Sequence, residues 1–260
     1  MEILVGFLIA LAIAMSGVGA GTVTAPTLIL FLGMPLGPAV GTALVFGFVV
    51  KIIAAPVYWY RKQVNFRTLG WMVLGGLPGV IAGSLLLSHA VVDRYQGLVF
   101  LILGITIIIA AGRSFFPKSR RADGQIKDRS RWLALVAAPI GLEVGFSSAG
   151  AGALGTTALM NMTPLTAAEV VGTDLFFGLV LSFVGGGVHL MTGQFDSAVI
   201  LRLVIGGVVG AVVGANLASR MPSHWLRYAL ATWLVYLGGE LFFKGWHTMG
   251  RALAAVPHPH

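Results

Sequence analysis

The sequence predicts an all-α polytopic membrane helix bundle made of two repeats of four hydrophobic segments, the first segment of each repeat broken or re-entrant. Three observations carry that expectation. Of the 260 residues, 57% are hydrophobic and 10% charged, too little charge to cover a water-facing surface when soluble domains carry roughly 25%. Mean hydropathy is +0.90, and the apolar residues gather into runs long enough to cross a bilayer. The chain also matches itself: aligned without gaps at an offset of 131 residues, 16–88 and 147–219 share 21 identities in 73 positions, where this composition gives about 6 by chance.

The apolar segments run approximately 3–32, 38–60, 68–88 and 95–112 in the first half, and 132–163, 168–191, 197–218 and 225–243 in the second. These boundaries give a first transmembrane repeat over 1–112, a basic linker over 113–131, a second repeat over 132–250 and a tail over 251–260. The first segment could pass for a signal peptide, but Glu2 leads it where a Lys or Arg is expected, and it belongs to the repeat, so it reads as retained. The linker collects Arg113, Lys118, Arg120, Arg121, Lys127, Arg129 and Arg131 and reads as a cytoplasmic loop. The +8 net charge is therefore a matter of orientation in the membrane. No basic helix or set of stacking aromatics accompanies it, which argues against a nucleic-acid partner.

Segments 3–32 and 132–163 are about 30 residues each, roughly 45 Å as continuous helix, against a hydrocarbon core of about 30 Å. Each is interrupted in the middle, by Ser-Gly-Val-Gly-Ala-Gly at 16–21 and by Ser-Ser-Ala-Gly-Ala-Gly at 147–152. Glycine disfavours helix by up to about 1 kcal/mol per residue, so a break is expected at both places. If the broken segments cross, there are eight spans, the repeats are parallel and the termini are cytoplasmic. If they return as hairpins, three full spans per repeat make the repeats inverted and the termini external. Charge bias does not separate the two; opposed repeats suit alternating access and favour the inverted form. The glycines matched at Gly75, Gly76, Gly79, Gly83 and Gly206, Gly207, Gly210, Gly214 read as close helix packing.

A broken helix exposes backbone N–H groups and a partial positive charge, which suit an anion. Gly19, Ala20 and Gly21 with Thr22 and Thr24, and Gly150, Ala151 and Gly152 with Thr156 and Thr157, offer two such ends, and Ser16, Ser147 and Ser148 add hydroxyls. The plainer reading is two kinks packed together. Lys51 lies deep in an apolar run, so it faces a partner or cavity, as an anion's counter-charge would, or snorkels toward Arg61. Glu143, Glu169 and Asp174 replace Ala12, Pro38 and Ala43 of the first half. Glu143 and Asp174 are candidates for a coupling proton or a structural ion pair, and Glu169 reads as a helix-start residue. Glu240 is placed to pair with Lys244, and His189, opposite Tyr58, reads as an interfacial histidine or a proton relay. With no cysteine, thiol chemistry and disulfides are excluded. No metal-ligand spacing, phosphate-loop pattern or Gly-x-Ser-x-Gly appears, so no cofactor, metal or catalytic residue is assigned and the protein reads as no enzyme.

The order of motifs resembles the sulfite exporter TauE/SafE family, also called the toluene-sulfonate uptake permeases. In the first half the matching pieces are Gly17-Val-Gly-Ala-Gly21 followed by Pro26, Leu32-Gly-Met-Pro35, Ala39-Val-Gly-Thr42, Arg61 to Arg67, and Gly75-Gly-Leu-Pro-Gly79 with Gly83. The second half supplies Gly150-Ala-Gly152, Val171-Gly-Thr-Asp174, Gly193-Gln-Phe-Asp196 and Gly206 through Gly214. The resemblance implies a multi-pass carrier of the cell inner membrane for sulfite, sulfoacetate or other organosulfonates. Joined to the residue reading, it gives a secondary transporter in which Gly19, Ala20, Gly21, Thr22, Ser147, Ser148, Gly150, Ala151 and Gly152 hold the anion. Lys51 supplies charge, Thr42 and Thr173 supply donors, and Glu143 or Asp174 carries a proton. Its partners are then the small anion and membrane lipid, with room for a homo-oligomer. The rivals are a passive anion channel and a non-transporting membrane assembly subunit.

Overall fold

The computed structural model describes residues 2–16, 20–88, 91–115, 128–149, 151–218 and 223–254, which form helices and short turns with no strand among them. The helices are α1 (Glu2–Ser16), α2 (Ala20–Phe31), α3 (Leu36–Tyr60), α4 (Phe66–Ser88), α5 (Val91–Phe115), α6 (Leu133–Ser147), α7 (Thr156–Met162), α8 (Ala167–Met191), α9 (Ser197–Ala218) and α10 (Ser223–Ala254). A 3₁₀ turn, Ser130–Trp132, leads into α6, and a π-helical turn, Ala151–Gly155, leads into α7. Four helices are long and apolar enough to cross a membrane: Leu36–Tyr60, Phe66–Leu87, Ala167–Met191 and Ser197–Gly214. Their outer faces are apolar too, with Leu74, Phe183, Leu201 and Val209 exposed. Such a surface is stable against lipid and would aggregate in water.

At the second expected break α6 ends at Ser147 and helical structure resumes at Ala151; at the first, helix is described up to Ser16 and again from Ala20. Gly17, Val18, Gly19, Gly150 and linker residues 116–127 lie outside the described residues. At the second break the chain turns through Ser148, whose φ of 57° is left-handed and closes α6 by donating its N–H to Val144 O. The chain then folds back as a hairpin. Arg129 N, just before α6, donates to Met162 O at the end of α7 at 2.9 Å, so the segment leaves at the end where it entered.

Close glycine contacts fix the helix directions. Gly75, Gly79 and Gly83 of α4 lie against the carbonyls of Ala134, Ala138 and Leu142 of α6, so these helices run parallel. Gly206 and Gly210 of α9 meet the carbonyls of Ile3 and Phe7 of α1 in the same sense. At each of these positions a methyl group would overlap the neighbour's backbone, which is why small residues are needed where helices pack this closely. Gly41 of α3 lies by His189 and Gly172 of α8 by Tyr58, so α3 and α8 run antiparallel, as do α5 and α10 through Gly97 with Met249 and Gly104 with Gly238. Thr42 and Phe46 of α3 meet Asp196 and Gly207, so α9 runs with α3. Since α1 also runs with α3, α2 between them runs back, and the first broken segment is a hairpin like the second.

The core forms where these pairs converge, around fully buried Leu28, Ile29, Leu44, Phe46, Phe177, Leu181 and Leu203. Several ends are closed locally. Thr166 caps α8 in a reciprocal box with Glu169, the helix-start role its position implied. Lys62 and Gly193 hold matching left-handed turns after α3 and α8, at φ 54° and 71°. Glu2 accepts from Arg202 at 2.6 Å at the starts of α1 and α9; both are solvent-accessible, so water screens the pair and it adds little to stability.

Candidate functional site

The two breaks meet each other. Gly21, on the first turn of α2, lies against the backbone of Ser148 so closely that a Cβ would overlap its carbonyl, and Ser148 Oγ donates to Gly21 O at 3.3 Å. Ser147 Oγ accepts from Ala149 N at 3.0 Å, folding the chain over the end of α6. Thr22, Thr24, Ser147 and Ser148 are buried. Among the described residues the junction is made of glycine backbone and small hydroxyls at the start of α2 and the end of α6, and no carboxylate is among them. Gly152 shares the π-helical turn that opens the return arm; Gly19 and Gly150 are outside the described residues, as are the side chains of Ala20 and Ala151.

Lys51 stays within the bundle. Its Nζ donates to Gly178 O at 3.1 Å and to Ser182 Oγ at 2.8 Å on α8. Asp174 lies one turn before Gly178, 6% exposed. Its Oδ2 accepts from Thr156 Oγ1 at 2.8 Å, and Gly155 leaves the space its carboxylate occupies. Asp174 therefore ties α8 to the return arm of the second hairpin, and its Oδ1 is buried without a hydrogen-bond partner. Glu143, on α6 four residues before the break, also has a buried carboxyl oxygen, Oε1, without a partner. His189 departs from the interfacial expectation: it is 0% exposed, because α8 packs it against α6, where Nε2 lies 3.1 Å from Gly145 O.

Thr42 and Thr173 are not brought together. Thr42 Oγ1 accepts from Asp196 N at 3.1 Å and Thr173 Oγ1 accepts from Asn65 N at 3.0 Å. Because α3 and α8 are antiparallel, these bonds lie toward opposite ends of the bundle. The expected Glu240–Lys244 pair is also absent among the described residues; Lys244 Nζ lies 5.3 Å from the centre of the Phe100 ring, a cation–π contact that competes for it. A groove of about 260 Å³ lined by Ile52, Ala55, Pro56, Trp59, Tyr60 and Phe176 opens on the outside of the bundle, and its lining is apolar and aromatic. No three His, Asp or Glu side chains among the described residues are placed to hold a metal ion.

Sequence reasoning missed Ser182, Gly178 and Thr156 as partners of the buried charges. A signal for Ser182 existed, since it stands 131 residues after Lys51 at the matched position of the repeat, but contact between matched positions depends on helix direction, which the sequence left open.

Long apolar helices, an apolar outer surface and charged groups held inside define a multi-pass protein of the cell membrane. The model of the family described as Sulfite exporter TauE/SafE matches residues 2–241, and the chain belongs to that family of membrane transporters. It is similar to "Probable membrane transporter protein YjnA" of Bacillus subtilis (strain 168), 25% identical over 252 residues that cover 92% of this chain and 98% of that protein. No solved structure matches it.

Proposed function

We propose that the protein is a secondary transporter that holds a small sulfur-containing oxyanion between the two helix breaks and moves it by alternating access, coupled to a proton. The observation that carries this reading is the meeting of the breaks at Gly21 and Ser148. Discontinuous helices converging inside an apolar bundle are how carriers place ion sites. The oxyanion would take its donors from the backbone and hydroxyls of 19–22 and 147–152, and Lys51 would supply the positive charge. Thr42 and Thr173 would serve as ties between helices away from the anion. The sulfur chemistry of the substrate comes from the family's description.

The two-repeat arrangement has support of its own. Lys51 bonds to Ser182 across 131 residues, and Ile107 touches Gly238 at the same separation. A residue that touches its counterpart lies on the axis relating the two. The bonds of Thr42 with Asp196 and of Thr173 with Asn65 are one contact made twice, since 42 and 173, and 65 and 196, are matched positions. Matched helices run in opposite directions, so the repeats are inverted and their axis lies in the membrane plane. Lys51 then sits near mid-depth, where an ammonium costs about 2.5–3.5 kcal/mol on insertion scales and is kept only with a partner.

The test is flux in proteoliposomes with sulfite, sulfate, thiosulfate, sulfoacetate and taurine. A carrier shows saturable uptake of at least one of these and counterflow between internal and external substrate. Flux without counterflow would favour a channel, and no binding or flux across the panel would remove the oxyanion assignment.

A further inference from the structure

Resting on the carrier reading above, we propose that the transported species is a monoanion accompanied by one proton, with no net charge crossing, because Lys51 is neutralised alternately by Asp174 and by the substrate. The geometry behind this lies on one face of α8. Asp174, Gly178 and Ser182 succeed one another at intervals of four and share that face. Lys51 Nζ spans the last two. An ammonium has three donors, so two hold it to α8 and one remains for a guest.

Thr156 and Gly155 of the return arm pack on Asp174, and Met72 of α4 lies by Gly155. Lys51 is held one and two turns further along α8 than Asp174, and neither hydrogen bonds to the other; Asp174 Oδ2 is held by Thr156 and Oδ1 is unpartnered. Oδ1 is therefore a buried oxygen with free lone pairs, placed to take a proton. Glu143 and His189 stand apart from this pair: the side chain that acts on Glu143 is Thr106, and His189 lies against Gly145. Between the two candidate proton carriers, position selects Asp174.

Charge then balances in both forms of the carrier. When it is empty, the Lys51 ammonium and the Asp174 carboxylate sum to zero. When an anion enters and takes the ammonium's free donor, Asp174 accepts a proton from water on the open side, and ammonium, anion and neutral carboxyl again sum to zero. Both forms cross without moving charge, and the direction of flux is set by the combined gradients of substrate and proton. A dianion would leave one negative charge uncompensated inside the bundle. The fitting substrates are then monovalent sulfonates, R–SO₃⁻, and hydrogen sulfite, with sulfate and the sulfite dianion poor.

The experiment uses the full chain in liposomes with radiolabelled methanesulfonate as the monoanion and radiolabelled sulfate as the dianion. A pH gradient with the potential clamped should drive methanesulfonate accumulation, a potassium-diffusion potential alone should not, and a solid-supported membrane should record no current. Sulfate should move at least about tenfold more slowly. Current, potential-driven accumulation or equal rates for the two anions would overturn the proposal while leaving a carrier in place; flux of neither probe, with none for the other oxyanions, overturns it together with the carrier reading. Asp174→Asn separates the steps. Its loaded form is still neutral and its empty form carries the charge of Lys51, so pH-driven net uptake should fall about tenfold or more while counterflow persists. Net uptake that still tracks the pH gradient in this variant overturns the assignment to Asp174. The wild-type current measurement decides the charge balance even if the variant fails to insert.

Discussion

In the two-repeat arrangement proposed above, the first and second halves of the chain build the same scaffold and carry different charges. Gly41 and Gly172 lie against the backbones of Gln194 and Gln63, and Thr42 and Thr173 each tie down the turn at the end of the other's helix. The ionisable groups do not repeat. Lys51 answers to Ser182, Asp174 to Ala43, Glu143 to Ala12 and His189 to Tyr58. Contacts that must survive an exchange of the two halves are made of glycine, hydroxyl and backbone, whereas in the proposed mechanism charge is needed once, where one anion and one proton meet. The duplicated parts are therefore expected to respond to mutation in matched ways, and the charged parts singly.

The largest expected effect is at the junction of the breaks. In Gly21→Ala the new methyl meets the Ser148 carbonyl, backbone that has no free side chain to move aside, so the cost should be about 1–3 kcal/mol with loss of anion binding. Gly70→Ala is the control. Nothing lies within 4 Å of a Cβ at Gly70, and a mid-helix alanine should be neutral or up to about 1 kcal/mol stabilising. Thermal unfolding in detergent and sulfite binding on both variants check this; equal effects at the two sites would remove the special role of the junction.

The ties come next. Thr42→Val and Thr173→Val each remove the acceptor of one loop N–H, a loss of about 1–2 kcal/mol. Because the two bonds are counterparts, their costs should agree within about 0.5 kcal/mol. Since they hold opposite ends of the bundle, their effects on access should be opposite in sign. Labelling rates of single cysteines placed at the two faces read this directly. Both variants opening the same face would break the correspondence between the halves.

The places where local chemistry decides were legible in the sequence. The runs at 16–21 and 147–152 marked the breaks because each glycine disfavours helix, and Glu169 marked a helix start; its partner in the cap, Thr166, was not read from the sequence. Hairpin against crossing was not legible, since both satisfy the same hydropathy; it took the Arg129–Met162 bond and the glycine contacts to decide. The partners of Thr42 and Thr173 were not legible for a related reason. Both end the motif Val-Gly-Thr, and in antiparallel helices matched positions away from the crossing point separate toward opposite faces. Lys51 shows the complement, because near the crossing point matched positions touch.

The smallest expected effect contrasts two turns that share a backbone and differ in residue. After α3 the left-handed position is Lys62 at φ 54°, and after α8 it is Gly193 at φ 71°. The next residues close both turns alike, Gln63 N donating to Tyr58 O at 3.0 Å and Gln194 N to His189 O at 2.8 Å. A lysine there bears the steric cost of left-handed backbone, about 1–2 kcal/mol, that glycine avoids. Glycine loses more chain entropy on folding, which offsets about half of that. Lys62→Gly should therefore stabilise the protein by about 0.5–1 kcal/mol, and Gly193→Lys should destabilise it by a similar amount. Melting temperatures moving in opposite directions would show that the turn geometry is common to both halves. A loss of stability in Lys62→Gly would instead mean that the Lys62 side chain contributes something its counterpart does not, and would extend the asymmetry of charge from the bundle's interior to its surface.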